Sequence, residues 1–533
     1  MRYFLRYLRR DADQWSALII ILSLCIAVPL LMVLWHLPEG PGELWPHIRT
    51  YLLPTYVSNS LLLLGGTSVG CILLGVPSAW IVSRYSFPGR RTIAWLLLLP
   101  LAIPSYIMAY AYVGLSESLS SYSLRLDFMN LPGLIWVLSL ALYPYVYGGC
   151  RALFQHFPRN LQDSSYMLGA TEAGFFFRVA LPLATPAILA GIFLVSMEVL
   201  NDYGAAKYYG VNTFTTGIFR TWTALEDLPA AIYLAAILIV LVGILMALLK
   251  WLRDRRNYAV KASTNQGEAA RLPLRGRLVL IGLPLVLLPL VCGFVLPVVQ
   301  LGHWTWRSFE LSFLQELLEV SLQSFAVAAA GAGSVCLLAL LLLFSSRWNA
   351  LHGLGWFTRL AVVGYALPGA IIGIGIISGS QVIIDFFYQL LAWKVGFLFY
   401  GSFYVLIYAY VFRFLAVAYH PLEAATLALG GQSSEAAYLL GSSRLRTAWR
   451  VELPLLRSSL LGAFVLVFID VLKELPLTLI LKPYYLRTLA TEAYAYADDE
   501  QVIQAALPAL LLILVVGTLM FLVNQRFSTN VTL

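Results

Sequence analysis

Asp202 and Glu474 stand at the ends of two long apolar runs, at equivalent positions of a duplicated pattern. Carboxylates in such runs are costly, and by default they mark function. Each follows a Leu-Pro proline at the same spacing, Asp202 after Pro182 and Glu474 after Pro454. At about 1.5 Å per helical residue, that spacing places each at the outer end of a span of about 30 Å. Around them the sequence reads NDYGAAKYYG (Asn201 to Gly210) and DVLKELPLTL (Asp470 to Leu479). A symmetric acidic pair at the mouth of a pathway suits a hard cation, which prefers carboxylate and phenolate oxygen to thiolate. Tyr203, Tyr208 and Tyr209 offer phenol oxygens. The plainer reading is a pair of interface carboxylates, one of them paired locally with Lys473, and tyrosine is enriched at membrane interfaces in any case.

The second constellation is a repeated polar segment. DSSYMLGATEAGFFFRVALPL starts at Asp163 and EAAYLLGSSRLRTAWRVELPL at Glu435, the same offset that relates Asp202 to Glu474. Tyr166, Leu168, Gly169, Arg178, Val179, Leu181 and Pro182 recur as Tyr438, Leu440, Gly441, Arg450, Val451, Leu453 and Pro454. A single copy would pass for an ordinary amphipathic loop helix. Two ungapped copies at one spacing argue for a duplicated device. Gly169 and Gly441 either break the preceding helix or permit close backbone approach. Proline is favoured in a first helical turn, so Pro182 and Pro454 are expected to start new helices. The product is a short helix lying across the membrane surface, tied to a span and suited to docking a partner.

Composition says what must position these groups. Of 533 residues, 60% are hydrophobic and 12% charged, with mean hydropathy +0.80. Soluble proteins run about 45–50% apolar and about 25% charged. A soluble enzyme, a disordered chain and a nucleic-acid binder are therefore excluded. Unbroken apolar runs rather than alternation exclude a transmembrane β-barrel. An all-α polytopic membrane protein remains. Twelve runs are long enough to span: 15–36, 57–83, 93–114, 131–150, 182–201, 229–252, 278–299, 318–345, 357–380, 396–418, 455–476 and 502–523. With the N-terminus inside, 26 of the 35 Lys and Arg fall on the inner side and 8 on the outer, with Lys473 in a span. That asymmetry predicts both termini in the cytoplasm. The basic start MRYFLRYLRR lacks a small-residue cleavage site and reads as the lead-in to an uncleaved first span.

The longest stretch without a span, 253–277, is basic and polar and reads as a cytoplasmic linker. It divides the chain into homologous six-helix halves, 1–252 and 278–533, whose repeated loops lie at about 158–182 and 430–454. An even number of spans per half inserts both the same way up, with the pathway between them. The five cysteines sit in or beside apolar runs and read as packing residues. The six histidines are scattered without H-x-x-H or HExxH spacing, which argues against a membrane metalloenzyme.

The loop pattern E-A-A-x3-G-x9-I-x-L-P resembles the coupling loop of binding-protein-dependent ABC importer permeases of type I fold. Glu435, Ala436, Ala437, Gly441, Leu453 and Pro454 fit it, with Val451 for Ile; in the first copy Asp163 replaces the glutamate, while Gly169, Leu181 and Pro182 remain. The resemblance covers nearly the whole chain, as two fused permease domains. It implies a bacterial inner-membrane subunit moving substrate by alternating access, with a periplasmic binding protein outside and two copies of a cytoplasmic ATPase subunit inside. ATP and magnesium would sit on those subunits, with no cofactor on this chain. No Gly-Lys pair occurs anywhere, so a G-x-x-x-x-G-K-[ST] loop is absent. Segments at Asn201, Lys473 and Leu486 (LRTLATEAYAYADDE) look like those of ferric-iron permeases. The implied substrate pathway includes Asp202, Tyr203, Lys473 and Glu474, with a transient iron contact at Asp202 and Glu474, because a tight site would trap the cation. Thiamine, polyamine and phosphonate permeases are close alternatives, and a gradient-driven secondary transporter is the rival from another class.

Overall fold

In lipid, a backbone must satisfy its own hydrogen bonds, and apolar runs of this length do so as helices. The computed structural model describes residues 14–120, 123, 127–157, 159–255, 271–308, 313–348, 355–391, 395–399 and 401–529. The basic N-terminal start and residues 256–270 of the expected linker lie outside them. Among the described residues, eleven helices are long and apolar enough to cross a membrane. A twelfth crossing is a bent pair, Arg90–Ala102 and Ser105–Ser118, at 97° to one another. The protein is an all-α polytopic membrane protein.

Two expected spans are not continuous, for one reason. The residue before a proline is pushed out of the helical region by the pyrrolidine ring. Ile103, before Pro104, takes φ −98° and ψ 112°, which breaks the 93–114 run. Leu367, before Pro368, takes φ −100° and ψ 133°, and the ninth span resumes as Gly369–Leu391.

Leu-Pro steps inside spans behave differently. Ile48–Leu52, Phe176–Ala180, Val291–Val295 and Ala448–Glu452 wind as π-helix, and each is followed directly by Leu-Pro. Proline has no N–H, and its ring clashes with the carbonyl one turn back; the wider π turn moves that carbonyl aside. Pro182 and Pro454 therefore do not start helices. The helices begin earlier, where the Thr171 and Ser443 side chains accept from Gly174 N and Arg446 N, and run through the π turn to Asn201 and Lys473.

The first span of each sequence half crosses to the other. Gln14–Trp35 buries Ile19 and Ile26 with Val327, Leu415 and Val467 of the second half. Gly375 of the ninth span lies so close to Pro29 O that an added Cβ would stand 2.1 Å from it. The seventh span buries Val286, Leu290 and Trp304 in the first half's core. On the loop side, Leu272–Pro273 pairs in parallel with Tyr85–Ser86.

Candidate functional site

The fifth and eleventh spans, Glu172–Asn201 and Arg444–Lys473, end on Asp202 and Glu474, whose backbones turn extended at φ −64°, ψ 122° and φ −69°, ψ 121°. Each is followed at once by a short helix, Gly204–Tyr208 or Pro476–Leu481. Both carboxylates cap these helices, where the backbone leaves unsatisfied donors and a partial positive charge. Asp202 Oδ1 accepts from Ala206 N at 3.0 Å, and Oδ2 accepts from Ser105 Oγ. Glu474 Oε1 accepts from Leu477 N at 3.2 Å, while Oε2 lies 3.2 Å from Arg413 Nε. Both carbonyls are held as well, by non-equivalent residues: Thr215 donates to Asp202 O at 2.6 Å and Thr478 to Glu474 O at 2.8 Å.

This corrects two expectations. Asp202 and Glu474 are buried, 7% and 6% exposed, in a cavity walled by both halves, not at an open outer mouth. Lys473 pairs with Asp470, Nζ to Oδ1 at 3.1 Å, while the ion-pair partner of Glu474 is Arg413.

The cavity, about 90 Å³, brings together all four residues expected in the pathway: Asp202, Tyr203, Lys473 and Glu474. Tyr203 is stacked on Phe219 with ring centroids 3.8 Å apart. Tyr208 and Tyr209 are not in the wall, and the Tyr209 hydroxyl donates to Ala109 O at 3.1 Å. The structure adds groups that the sequence reading passed over. Glu198 and Asp470 line the same cavity one helical turn before the capping carboxylates, with Tyr145, Tyr365 and Arg413. Tyr145 Oη donates to Glu198 Oε1 at 3.4 Å, and Tyr365 lines the same cavity as Tyr145, Glu198 and Asp470. The signal was present: Glu198 and Asp470 are themselves related by the offset of the repeat. Asp202 and Glu474 have their oxygens occupied by fixed partners, so Glu198 and Asp470 are the acids with capacity to meet a ligand. Four carboxylates face two cations here, which leaves the cavity negative. Among the described residues, no three His, Cys, Asp or Glu side chains converge as a metal-holding group.

The repeated loops lie at the other end of the fifth and eleventh spans. In each, a short helix, Arg159–Met167 or Gln432–Leu439, ends at a glycine in the left-handed region: Gly169 at φ +81° and Gly441 at φ +82°. Gly169 N bonds to Tyr166 O at 2.9 Å and Ala170 N to Ser165 O at 3.0 Å; Gly441 N to Tyr438 O and Ser442 N to Ala437 O repeat this at 2.9 and 3.0 Å. Both are Schellman endings, which glycine favours because it lacks Cβ. An added Cβ at either would meet nothing within 4 Å, so within this chain the glycines stop helices and do not serve close packing.

These stops leave apolar tips in polar loops. Met167 and Leu168 are each 88% exposed, and Leu439 and Leu440 each 89%. Asp163, Glu435 and Ala437 stand beside them at the surface or half-buried, Ala436 sits on the same short helix, and Leu181, Pro182, Leu453 and Pro454 follow the π turns within the span helices. Each loop is tied to the second span of its half. Arg84 Nη2 lies 3.0 Å from Glu172 and 3.0 Å from the Tyr166 hydroxyl; burial and its hydrogen bond to Glu172 push the Tyr166 phenol above its ordinary value. Arg347 Nη1 lies 3.2 Å from Glu452, which also accepts from Ser434 Oγ at 2.5 Å. A push on either loop therefore reaches two spans.

Residues 71–258 and 353–532 each match the family described as binding-protein-dependent transport system inner membrane component. The chain belongs to that family. The permease is 25% identical over 523 residues to an Fe(3+)-transport system permease protein of Haemophilus influenzae, covering 97% of this chain and 99% of that one. It is 24% identical to a molybdate/tungstate transport system permease protein of Thermococcus kodakarensis, over 47% of this chain and 100% of that one. It is 26% identical to a sulfate transport system permease protein of Escherichia coli, over 34% of this chain and 70% of that one. A relative of one half's length and one of the whole length agree with a fused pair of permease units. These relatives are transport permeases, and the gradient-driven alternative gives way to binding-protein-dependent transport.

Proposed function

We propose that this permease carries ferric iron across the bacterial inner membrane by alternating access, with both termini in the cytoplasm. A periplasmic binding protein delivers the substrate. Two copies of a cytoplasmic ATPase subunit, which hold the ATP and magnesium, dock on the tips at Met167–Leu168 and Leu439–Leu440. Asp163, Gly169, Glu435, Ala436, Ala437 and Gly441 shape these docking loops. Leu181, Pro182, Leu453 and Pro454 pass their motion into the fifth and eleventh spans. Those spans carry Glu198, Asp202, Asp470, Lys473 and Glu474, so motion at the loops opens or closes the cavity between the halves.

The observation that carries the substrate reading is the cavity's donor set. Carboxylates and phenols are the oxygens that a hard trivalent cation prefers, and Glu198, Asp470, Tyr145 and Tyr365 present them together. The full-length similarity to a ferric-iron permease supports the same reading. Lys473 keeps the hold brief, since it already neutralises Asp470 and retakes it as the ion leaves. An oxyanion is the second reading, because relatives that match one half are sulfate and molybdate permeases. It is disfavoured here because both cavity cations are engaged and the net charge is negative. In this conformation about 90 Å³ has room for a small ion with a few waters, not for thiamine.

The test is uptake by the reconstituted complex of permease, ATPase subunit and binding protein. Iron-dependent uptake that ignores sulfate, molybdate and thiamine supports the reading. Uptake of an oxyanion with no iron uptake overturns it.

A further inference from the structure

A cleft on the outer surface of the bundle is used by neither the cavity nor the loops. It opens between the fifth span and the sixth, Leu228–Arg255, with a volume of about 470 Å³. One wall is Leu189, Ala190, Phe193 and Leu194; the other is Met246, Ala247 and Leu249. At its rim, on the face of the membrane that bears the 159–180 loop, stand Lys250 and Arg253. Both are exposed, and Arg253 has a 3.9 Å contact with its neighbour Asp254. A turn away, the Arg255 guanidinium lies 3.8 Å from the Trp251 ring centroid, and tryptophan at this level marks the headgroup region.

An apolar cleft that ends on two cations at headgroup depth has the form of an anionic lipid site. The duplicated half supplies an internal contrast. At the offset that relates Asp202 to Glu474, Lys250 aligns with Leu522 and Arg253 with Gln525 in the twelfth span. General annular contact would apply to both halves alike, but at the repeat offset neither basic residue has a basic counterpart in the second half.

We propose that an anionic glycerophospholipid occupies this cleft, with an acyl chain between the fifth and sixth spans and its phosphate on Lys250 and Arg253. The site is independent of the transported substrate. It places one lipid against the span into which the first loop continues.

Native mass spectrometry of the purified full chain tests it, after equilibration with vesicles of phosphatidylglycerol, phosphatidylcholine or an equal mixture. The chain should retain about one phosphatidylglycerol in preference to phosphatidylcholine. K250Q/R253Q should reduce that preference roughly ten- to thirty-fold, the effect expected of two surface basic residues. K250R/R253K should keep it. A247W, which fills the cleft and leaves both charges, should displace the lipid as well. Equal retention of the two lipids by the wild-type chain would overturn the proposal. So would unchanged phosphatidylglycerol in K250Q/R253Q or in A247W. Displacement by millimolar inorganic phosphate would show a headgroup-only site and would equally refute it.

Discussion

Replacing Gly169 and Gly441 separates two roles that a loop glycine can have. They sit at φ +81° and φ +82°, where an L side chain costs about 1–2 kcal/mol. Within this chain an added Cβ meets nothing within 4 Å, so the backbone supplies the whole intramolecular penalty. The two loops lie in different halves, and their costs should add to about 2–4 kcal/mol. That corresponds to roughly a 30- to 700-fold loss in the population with both Schellman endings formed. G169V/G441V should therefore fail to hold the ATPase subunit in co-purification and lose transport-coupled ATP hydrolysis. G169N/G441N should keep most of both, because asparagine tolerates the left-handed region. Normal assembly and uptake in the valine variant would refute the need for this loop geometry. An asparagine variant as defective as valine would shift the cause to close approach by the partner.

Other expectations follow from the same contacts. M167S/L168S or L439S/L440S should weaken ATPase association by roughly a hundredfold or more in a binding titration, since burying each such side chain contributes ~1.5–3 kcal/mol. R347A leaves Glu452, 5% exposed, without its cation; it should lower stability by about 3 kcal/mol in a thermal melt. K207A, which breaks the exposed Lys207–Asp498 pair at 2.8 Å, should change stability by no more than about 1 kcal/mol in the same melt. D202N keeps a capping oxygen and should be mild, whereas D202A should destabilise by ~1 kcal/mol or more; equal melting of the two variants would remove the capping role.

The spans, the duplication and the loop glycines were legible because each rests on local pattern: apolar length, a constant offset between the halves, and a residue type that suits the left-handed region. The breaks at Pro104 and Pro368 were also written locally, yet their runs are apolar enough to read straight through. Pro182 and Pro454 misled because the usual meaning of proline near a helix start hides the π turn that lets a helix continue past it. Glu198 and Asp470 lie four residues before Asp202 and Glu474, and in sequence they do not stand out from those terminal acids. Their importance depends on Asp202 and Glu474 being consumed by the short helices that follow, and sequence does not show that. The partner of Glu474 was similarly hidden, since Arg413 lies on a different span, Phe403–Leu429. The crossing of the first and seventh spans rests on contacts such as Gly375 against Pro29, which no local pattern encodes.

The most direct measurement is iron uptake by proteoliposomes holding the complete complex with E198Q/D470N in the permease. Iron entry should fall at least tenfold while ATPase association and binding-protein docking stay normal. Full uptake with both acids neutralised would contradict a pathway through the cavity between the halves.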